Sequence, residues 1–517
     1  MIIPSLCKTG EEAGARSADL PADERRKAGD PMKERVWEIA ICGTFDVQNY
    51  GDLLFPIIAE AELARRLGPV KLHRLSYHAR TPPEWPYAVT SLTQLPELAM
   101  SLDGILIGGG FIIRFDKEVA PGYGPPNPEI HHPTGYWLTP ALIALQHGIP
   151  LAWNAPGMHC NDIPQWGEPL VRLVFQGSRH IRVRDEPSRE ALRHFCCNSQ
   201  IAVLPDTAFG ISRLVDSRRP SAELETLRAL SGLAGPYIIV QAIHCIAPFI
   251  RFMQNHRQLF KGLRFLILPI GPVLGDHETV IGDGLPDCVQ LPAWPHPLLL
   301  AELISQAEAV VGHSYHLAIT ALAFGVPIFS SADLATGKYT ALSAVETVFA
   351  LPGEDDDPHL FLKRLGRGRP ALAAHNALEQ LDQHWDRIAE IIREGKADTK
   401  PALNRFWQSL PNLLEAASEH AKKTETEYAG LLKDISLQAE KYETECATLR
   451  EAATRQAEAY RMEGAVQQRH VEELEARLSL ANSRIAALYN SRSFRITAPL
   501  RHIVRRLSVN KGMGKSE

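Results

Sequence analysis

Long hydrophobic runs are missing from this chain. No apolar stretch approaches the roughly 18–20 residues that a membrane span requires, so no segment reads as a transmembrane helix. The eight cysteines include no CxxC pair, and several lie in apolar segments. That excludes a structural zinc motif and fits a reduced, cytosolic compartment. An excess of one charge is lacking too. Lys and Arg number 55 against 60 Asp and Glu, a net charge of -5, so no general attraction to nucleic acid is expected. There is no GxGxxG, no P-loop lysine and no GxSxG. The common signatures of dinucleotide binding, P-loop nucleotide binding and serine hydrolysis are therefore absent. His131-His132 and His313/His316 lack a third partner at metal-ligand spacing, so no metal site is expected. The start, "MIIPSLCKTGEEAGARSADL", meets acids soon after a very short apolar stretch and does not read as a secretory signal.

The chain is long enough, at 517 residues, for two globular domains and something more. Residues 1–35 are polar and aperiodic and read as a disordered leader. From Val36, apolar runs ("VWEIAICG", "VKLHRL", "DGILIGGG", "IPLAWNA", "HIRVRD", "IAVLPD") alternate with helical windows up to about residue 215. The polar stretch "SRLVDSRRPSAELE" intervenes, and the alternation restarts over 226–395 with "PYIIVQAI", "LRFLILPIG", "DCVQLP", "EAVVGH" and "VPIFSS". Alternating strands and helices predict parallel sheets covered on both faces. The expected fold is therefore α/β, two Rossmann-like lobes in series, with ligands bound beyond the strands' carboxyl ends in the cleft between them.

Residues 396–416 read as a linker, and 417–490 as a long α-helical coiled coil. Tyr428, Leu432, Ile435, Ala439, Tyr442, Cys446, Leu449 and Ala453 recur in alternating four and three steps. A second register runs Val471, Leu474, Leu478, Ala481, Ile485, Leu488, with a phase slip near Gly464. A homo-oligomer through the coil is the expectation. The tail, 491–517, is basic and amphipathic, as either a solvated helix end or a segment lying on an anionic membrane would be.

Five strand ends hold the candidate chemistry. After "WEIAICG", Asn49 and Gly51 allow a tight turn, Asp52 is expected to cap the following helix, and that helix start can face an anion. An ordinary βα turn would look the same. Gly108, Gly109 and Gly110 let backbone approach a ligand or a neighbouring segment. Arg184, in "HIRVRDEPSREAL", could fork onto a carboxylate or phosphate, or pair with Asp185. Asp206 would face the cleft or cap the next segment. In "EAVVGHSYHLAITALAFGVPIFS", His313 and Ser314 precede a helix with free N–H groups, and His316 lies in its first turn, where it could donate a proton or bind an anion. Lys338 adds a cation downstream.

In this order, "GTFDVQNYGDLL", "GILIGGGFI", "APGM", "VRDEPSREAL", "VLPDTAFG" and "GHSYHLAITALAFGVPIF" with Lys338 resemble the polysaccharide pyruvyl transferase family, over about residues 40–340. The resemblance implies a GT-B-like two-lobed fold. It implies transfer of the enolpyruvyl unit of phosphoenolpyruvate to two sugar hydroxyls, giving a cyclic pyruvate ketal and phosphate, in bacterial exopolysaccharide or cell-envelope glycan biosynthesis. Phosphoenolpyruvate would be the donor substrate, with no cofactor, and the acceptor a saccharide or lipid-linked oligosaccharide. His316 matches the histidine of the family's Arg-x-His motif and would be the general acid. Ser314 stands at the arginine position, so Lys338 or Arg184 would supply that charge. Asn49, Gly51, Asp52, Gly109, Gly110, Asp206, His313 and Ser314 would shape the site. "SRSFRITAPLR", 491–501, resembles a coda behind coiled coils in bacterial surface-polysaccharide glycosyltransferases, implying a cytoplasmic protein that touches the inner membrane peripherally. Two other readings suit the same sequence: a GT-B nucleotide-sugar glycosyltransferase, and a non-catalytic scaffold of a glycan-assembly complex.

Overall fold

The structure, a computed structural model, describes residues 35–115, 133–158, 167–195, 201–277, 287–343, 345–366 and 372–497, with a few single positions and 499–501 beside them. The leader and most of the basic tail lie outside the described residues.

The first sheet is wholly parallel. Its strands are β1 (Trp37–Cys42), β2 (Val70–Ser76), β3 (Thr90–Ser91), β4 (Gly104–Ile107) and β5 (Leu151–Trp153), in the order β3-β2-β1-β4-β5. A bridge from Ala152 to His180 continues it toward the parallel pair β6 (Ile181–Val183) and β7 (Ile201–Val203). The second sheet holds β8 (Tyr237–Gln241), β9 (Arg264–Leu268), β10 (Cys288–Gln290), β11 (Ala309–Gly312), β12 (Ile328–Ser330) and β13 (Val348–Ala350), in the order β10-β9-β8-β11-β12-β13. Its central strands are continuous apolar runs because helices cover both faces. In each sheet the strand order reverses once, between β1 and β4 and between β8 and β11. These are the points where α/β sheets open a crevice. Two parallel-sheet lobes followed by a long helix are the GT-B-like architecture expected from the sequence.

The lobes share one core. The helix Tyr50–Leu67 follows β1, yet the Tyr50 N–H donates to the Ile270 carbonyl (3.0 Å) and its hydroxyl meets the Thr320 hydroxyl (3.0 Å). A single apolar cluster runs from Ile39 and Leu54 through Ile319 and Leu322 to Trp385. The helix Leu372–Glu394 departs from the expected division. Sequence grouped it with the second lobe, but it lies across the first: Ile392 packs on Gly104, and Asp382 collects Arg65 (2.6 Å), Arg66 (2.8 Å) and Arg213 (2.6 Å). The stretch expected as a linker is also different. A helix of 91 residues starts at Lys400, and Leu403 and Phe406 pack on the first-lobe core, so apolar contact stabilises helix within the stretch expected as a linker. It runs to Asn490 without a break at Gly464. The chain divides into two compact units at Glu415/Ala416. Among the described residues no helix is long and apolar enough to cross a membrane.

Candidate active site

A cavity of about 390 Å³ lies where the two crevices meet. Asn49, Asp52 and Gly110 line it from the first lobe, Gln241, His313 and His316 from the second, and Arg184 and Lys338 add cations.

The first wall is the turn after β1. Asn49, not Asp52, caps its helix: the Asn49 Oδ1 accepts the Gly51 N–H at 3.3 Å. Asp52 sits in the first helical turn, buried, with its carboxylate beside Gly110. Gly110 adopts φ +87°, a conformation that favours glycine.

The opposite wall is the helix Tyr315–Phe324, capped by Ser314, whose Oγ accepts the Leu317 N–H at 3.4 Å. This cap puts His316 in the first turn, edge-on to Phe55. Its Nε2 stands 3.4 Å from the Asp206 Oδ2, at charge-contact range rather than in an aligned hydrogen bond. Asp206 is fully buried just behind the cavity wall and caps the next segment, one of the two roles the sequence left open. Its Oδ1 caps the next segment by accepting the Ala208 N–H (2.9 Å), and its Oδ2 faces His316 and, at 3.8 Å, Arg184. Burial alone would raise its carboxyl, but His316, Arg184 and the Ala208 N–H outweigh that and hold it below the usual carboxylate range.

Arg184 leaves β6 with its guanidinium 4.0 Å from the Phe111 ring centre, and two of its nitrogens have no hydrogen-bond partner among the described residues. Asp185 beside it is occupied as a helix cap, accepting the Ser188 N–H at 2.9 Å. The Lys338 amine lies 5.3 Å from the same Phe111 ring and 5.2 Å from Tyr339. Burial, reinforced by Arg184, lowers Lys338 to about 8. Two cations thus share one aromatic surround, an arrangement that a bound dianion would stabilise.

One expectation is corrected here. The N–H groups of His313 and Ser314 are not free for an anion, because the Gln241 Oε1 accepts both at 2.8 Å. Gln241 is itself fixed by donating to Asp276 (2.7 Å), which also accepts the Ile270 and Gly271 N–H groups. Burial, then Lys338, lowers His313, and its Nδ1 meets the Ser331 hydroxyl at 3.3 Å.

Of the residues singled out from sequence, Asn49, Asp52, Gly110, Arg184, His313, Ser314, His316 and Lys338 line the cavity, and Gly51, Gly109 and Asp206 lie immediately behind it. Arg182, on β6 two residues before Arg184, does not line it. Phe111, Tyr315, Tyr339, Gln241 and Asp276 were missed. Gln241 ends a buried strand at a sheet reversal, a polar residue in an apolar run, and that signal could have found it. Among the described residues no group of three acidic, histidine or cysteine side chains could hold a metal.

No curated protein matches the chain. Among solved structures, it is similar to a UDP-GlcNAc 2-epimerase from Methanocaldococcus jannaschii, at 14% identity over 70% of this chain and 100% of that one, with a TM-score of 0.45. A second, the Neisseria meningitidis UDP-GlcNAc 2-epimerase bound to UDP-GlcNAc, gives 13% identity over 72% and 100%, with a TM-score of 0.41. The family model for polysaccharide pyruvyl transferase matches residues 49–331, which hold every cavity residue named above except Lys338 and Tyr339. That match covers more than half of the chain, and the chain belongs to the polysaccharide pyruvyl transferase family.

Proposed function

We propose that the cavity binds phosphoenolpyruvate and transfers its pyruvyl group to two hydroxyls of a sugar, forming a cyclic ketal. The observation that carries this is the convergence of Arg184 and Lys338 on the Phe111 ring, beside the His316–Asp206 pair. Phosphoenolpyruvate presents a carboxylate and a phosphate, and two cations in a sheltered site match them. With Ser314 used as a helix cap, Arg184 and Lys338 supply the charge that the family's arginine would bring.

In this reading His316 protonates the methylene carbon, and positive charge develops on the adjacent carbon. One sugar hydroxyl attacks that carbon and loses its proton. The C–O bond to phosphate then breaks, and the second hydroxyl closes the ring, so phosphate departs with one hydroxyl proton. The other hydroxyl proton replaces the one His316 gave. Asp206 orients the imidazole and balances its charge. The chemistry needs no metal or cofactor. The exposed Arg492 and Arg495 would bring the chain to an anionic cytoplasmic membrane surface, where a lipid-linked acceptor of envelope or exopolysaccharide synthesis would be met.

The test is to incubate the full chain with phosphoenolpyruvate and a panel of lipid-linked and free saccharides. Phosphate release matched by a new ketal methyl signal in NMR supports the proposal. Transfer of a sugar from a nucleotide sugar, with no phosphoenolpyruvate consumed, would replace it.

A further inference from the structure

We propose that residues 428–488 form a parallel, in-register, two-stranded coil with a second copy of this chain. The helix is continuous across this span, about 90 Å at 1.5 Å per residue. Its apolar stripe stands open in the single chain: Ile435 is 57% exposed, Leu449 69% and Leu478 63%. A stripe at steps of four and three is the seam of a coil rather than the broader face of a helix packed on a globular core.

Charge selects the partner and its direction. With Leu432, Ala439 and Cys446 at the first seam position, Glu445 precedes the seam and Arg450 follows it. In a parallel pair, the residue before the seam meets the residue five places later on the partner. Glu445 then faces Arg450 of the second copy, twice per dimer. In the second register the same rule sets His470 against Glu475. Antiparallel pairing would break these matches. Within the single helix the described ion pairs are Lys423–Glu427, Glu451–Arg455 and Glu473–Arg477, which leave Glu445 and Arg450 unpaired. Gln456, a polar residue on the seam, fixes the register, since only in-register strands pair it with itself. Such a pair would carry both basic segments 491–501 at one end, giving a membrane surface two contacts at once. The inference rests on the helix alone and is independent of the donor proposed above.

Sedimentation of the full chain at micromolar concentration should give twice the chain mass. Mild oxidation with diamide should link the two chains, because Cys446 faces its own copy. C446S should abolish the link and keep the doubled mass. I435D, at a position exposed in the single chain, should weaken association at least tenfold while the far-ultraviolet spectrum of the catalytic unit persists. E445K should weaken it several-fold, and E445K/R450E should restore it. A single-chain mass, a mass of three or four chains, an I435D protein that still dimerises fully, or a natural protein of doubled mass that diamide does not link through Cys446 would overturn the proposal.

Discussion

The His316 imidazole lies so close over Gly51 that a Cβ on Gly51 would fall 1.9 Å from its Nδ1. The first turn of one lobe therefore sets the position of the His316 ring, the proposed proton donor, carried by the other. G51A forces the ring out of place. A misplacement of about 1 Å can cost on the order of 10²-fold in rate, so turnover should fall by about that factor. Melting temperature should move little, because the ring can swing into the cavity. Normal turnover in G51A would show that this contact does not position the donor.

His316 and Asp206 should separate by role. H316Q removes the proton and should lower turnover by about 10²–10⁴-fold. D206N keeps the shape but removes the charge, and should cost at least about tenfold in kcat with little change in donor KM. Because the Asp206 carboxyl is held below its ordinary value, the pair's stabilisation is present above the unfolded pKa of about 4 and is lost as pH falls through the lower folded value. The D206N protein should accordingly show a weaker drop in melting temperature on acidification below pH 4.

Lys338 carries a pH signature. Lowered to about 8, it is a cation below that pH and neutral above it. Donor kcat/KM, which reports the free enzyme, should decline as pH rises through about 8. K338R should move the decline upward, because guanidinium stays charged. An unchanged alkaline limb in K338R would remove Lys338 from the donor site. Stability has the opposite sign: the unfolded lysine holds its proton to about 10.4, so folding gains as pH rises between those values.

A buried chain away from the cavity predicts acid sensitivity. The His180 Nε2 meets the His384 Nδ1 at 2.9 Å, and the His384 Nε2 meets the Asn154 Oδ1 at 3.0 Å, tying the Leu372–Glu394 helix to the first lobe. Burial, then nearby arginines, pushes His180 down to about 3, and burial with His180 pushes His384 down as well. Both fold neutral. The unfolded chain binds more protons below about pH 6.5, so stability is lost as pH falls from there. At pH 5 the loss from His180 alone is about 2 kcal/mol. H180N/H384Q should flatten melting temperature between pH 7.5 and 5. An unchanged slope would contradict the buried neutral pair.

Much of this was legible because βα units write local signals. The "WEIAICG" strand, the Asn49-Tyr50-Gly51 turn and the "VVGHSYH" junction each carry their structure within ten residues. Assigning the cap to Asp52 failed because two neighbouring residues can both cap, and the turn's geometry chose Asn49. Contacts between distant segments were not legible. Gln241 closing the His313 and Ser314 N–H groups spans 72 residues, and His384 reaching Asn154 spans 230. No local pattern encodes such pairs. The same holds for the helix Leu372–Glu394, whose apolar face shows that it packs but not on which lobe.

Calorimetric titration of the full chain with phosphoenolpyruvate, beside R184A/K338A, tests the central claim most directly. The account predicts saturable binding in the natural protein and loss of it, at least tenfold, in the double variant. Heat from a UDP- or GDP-sugar with none from phosphoenolpyruvate, or phosphoenolpyruvate binding unchanged in the variant, would contradict it.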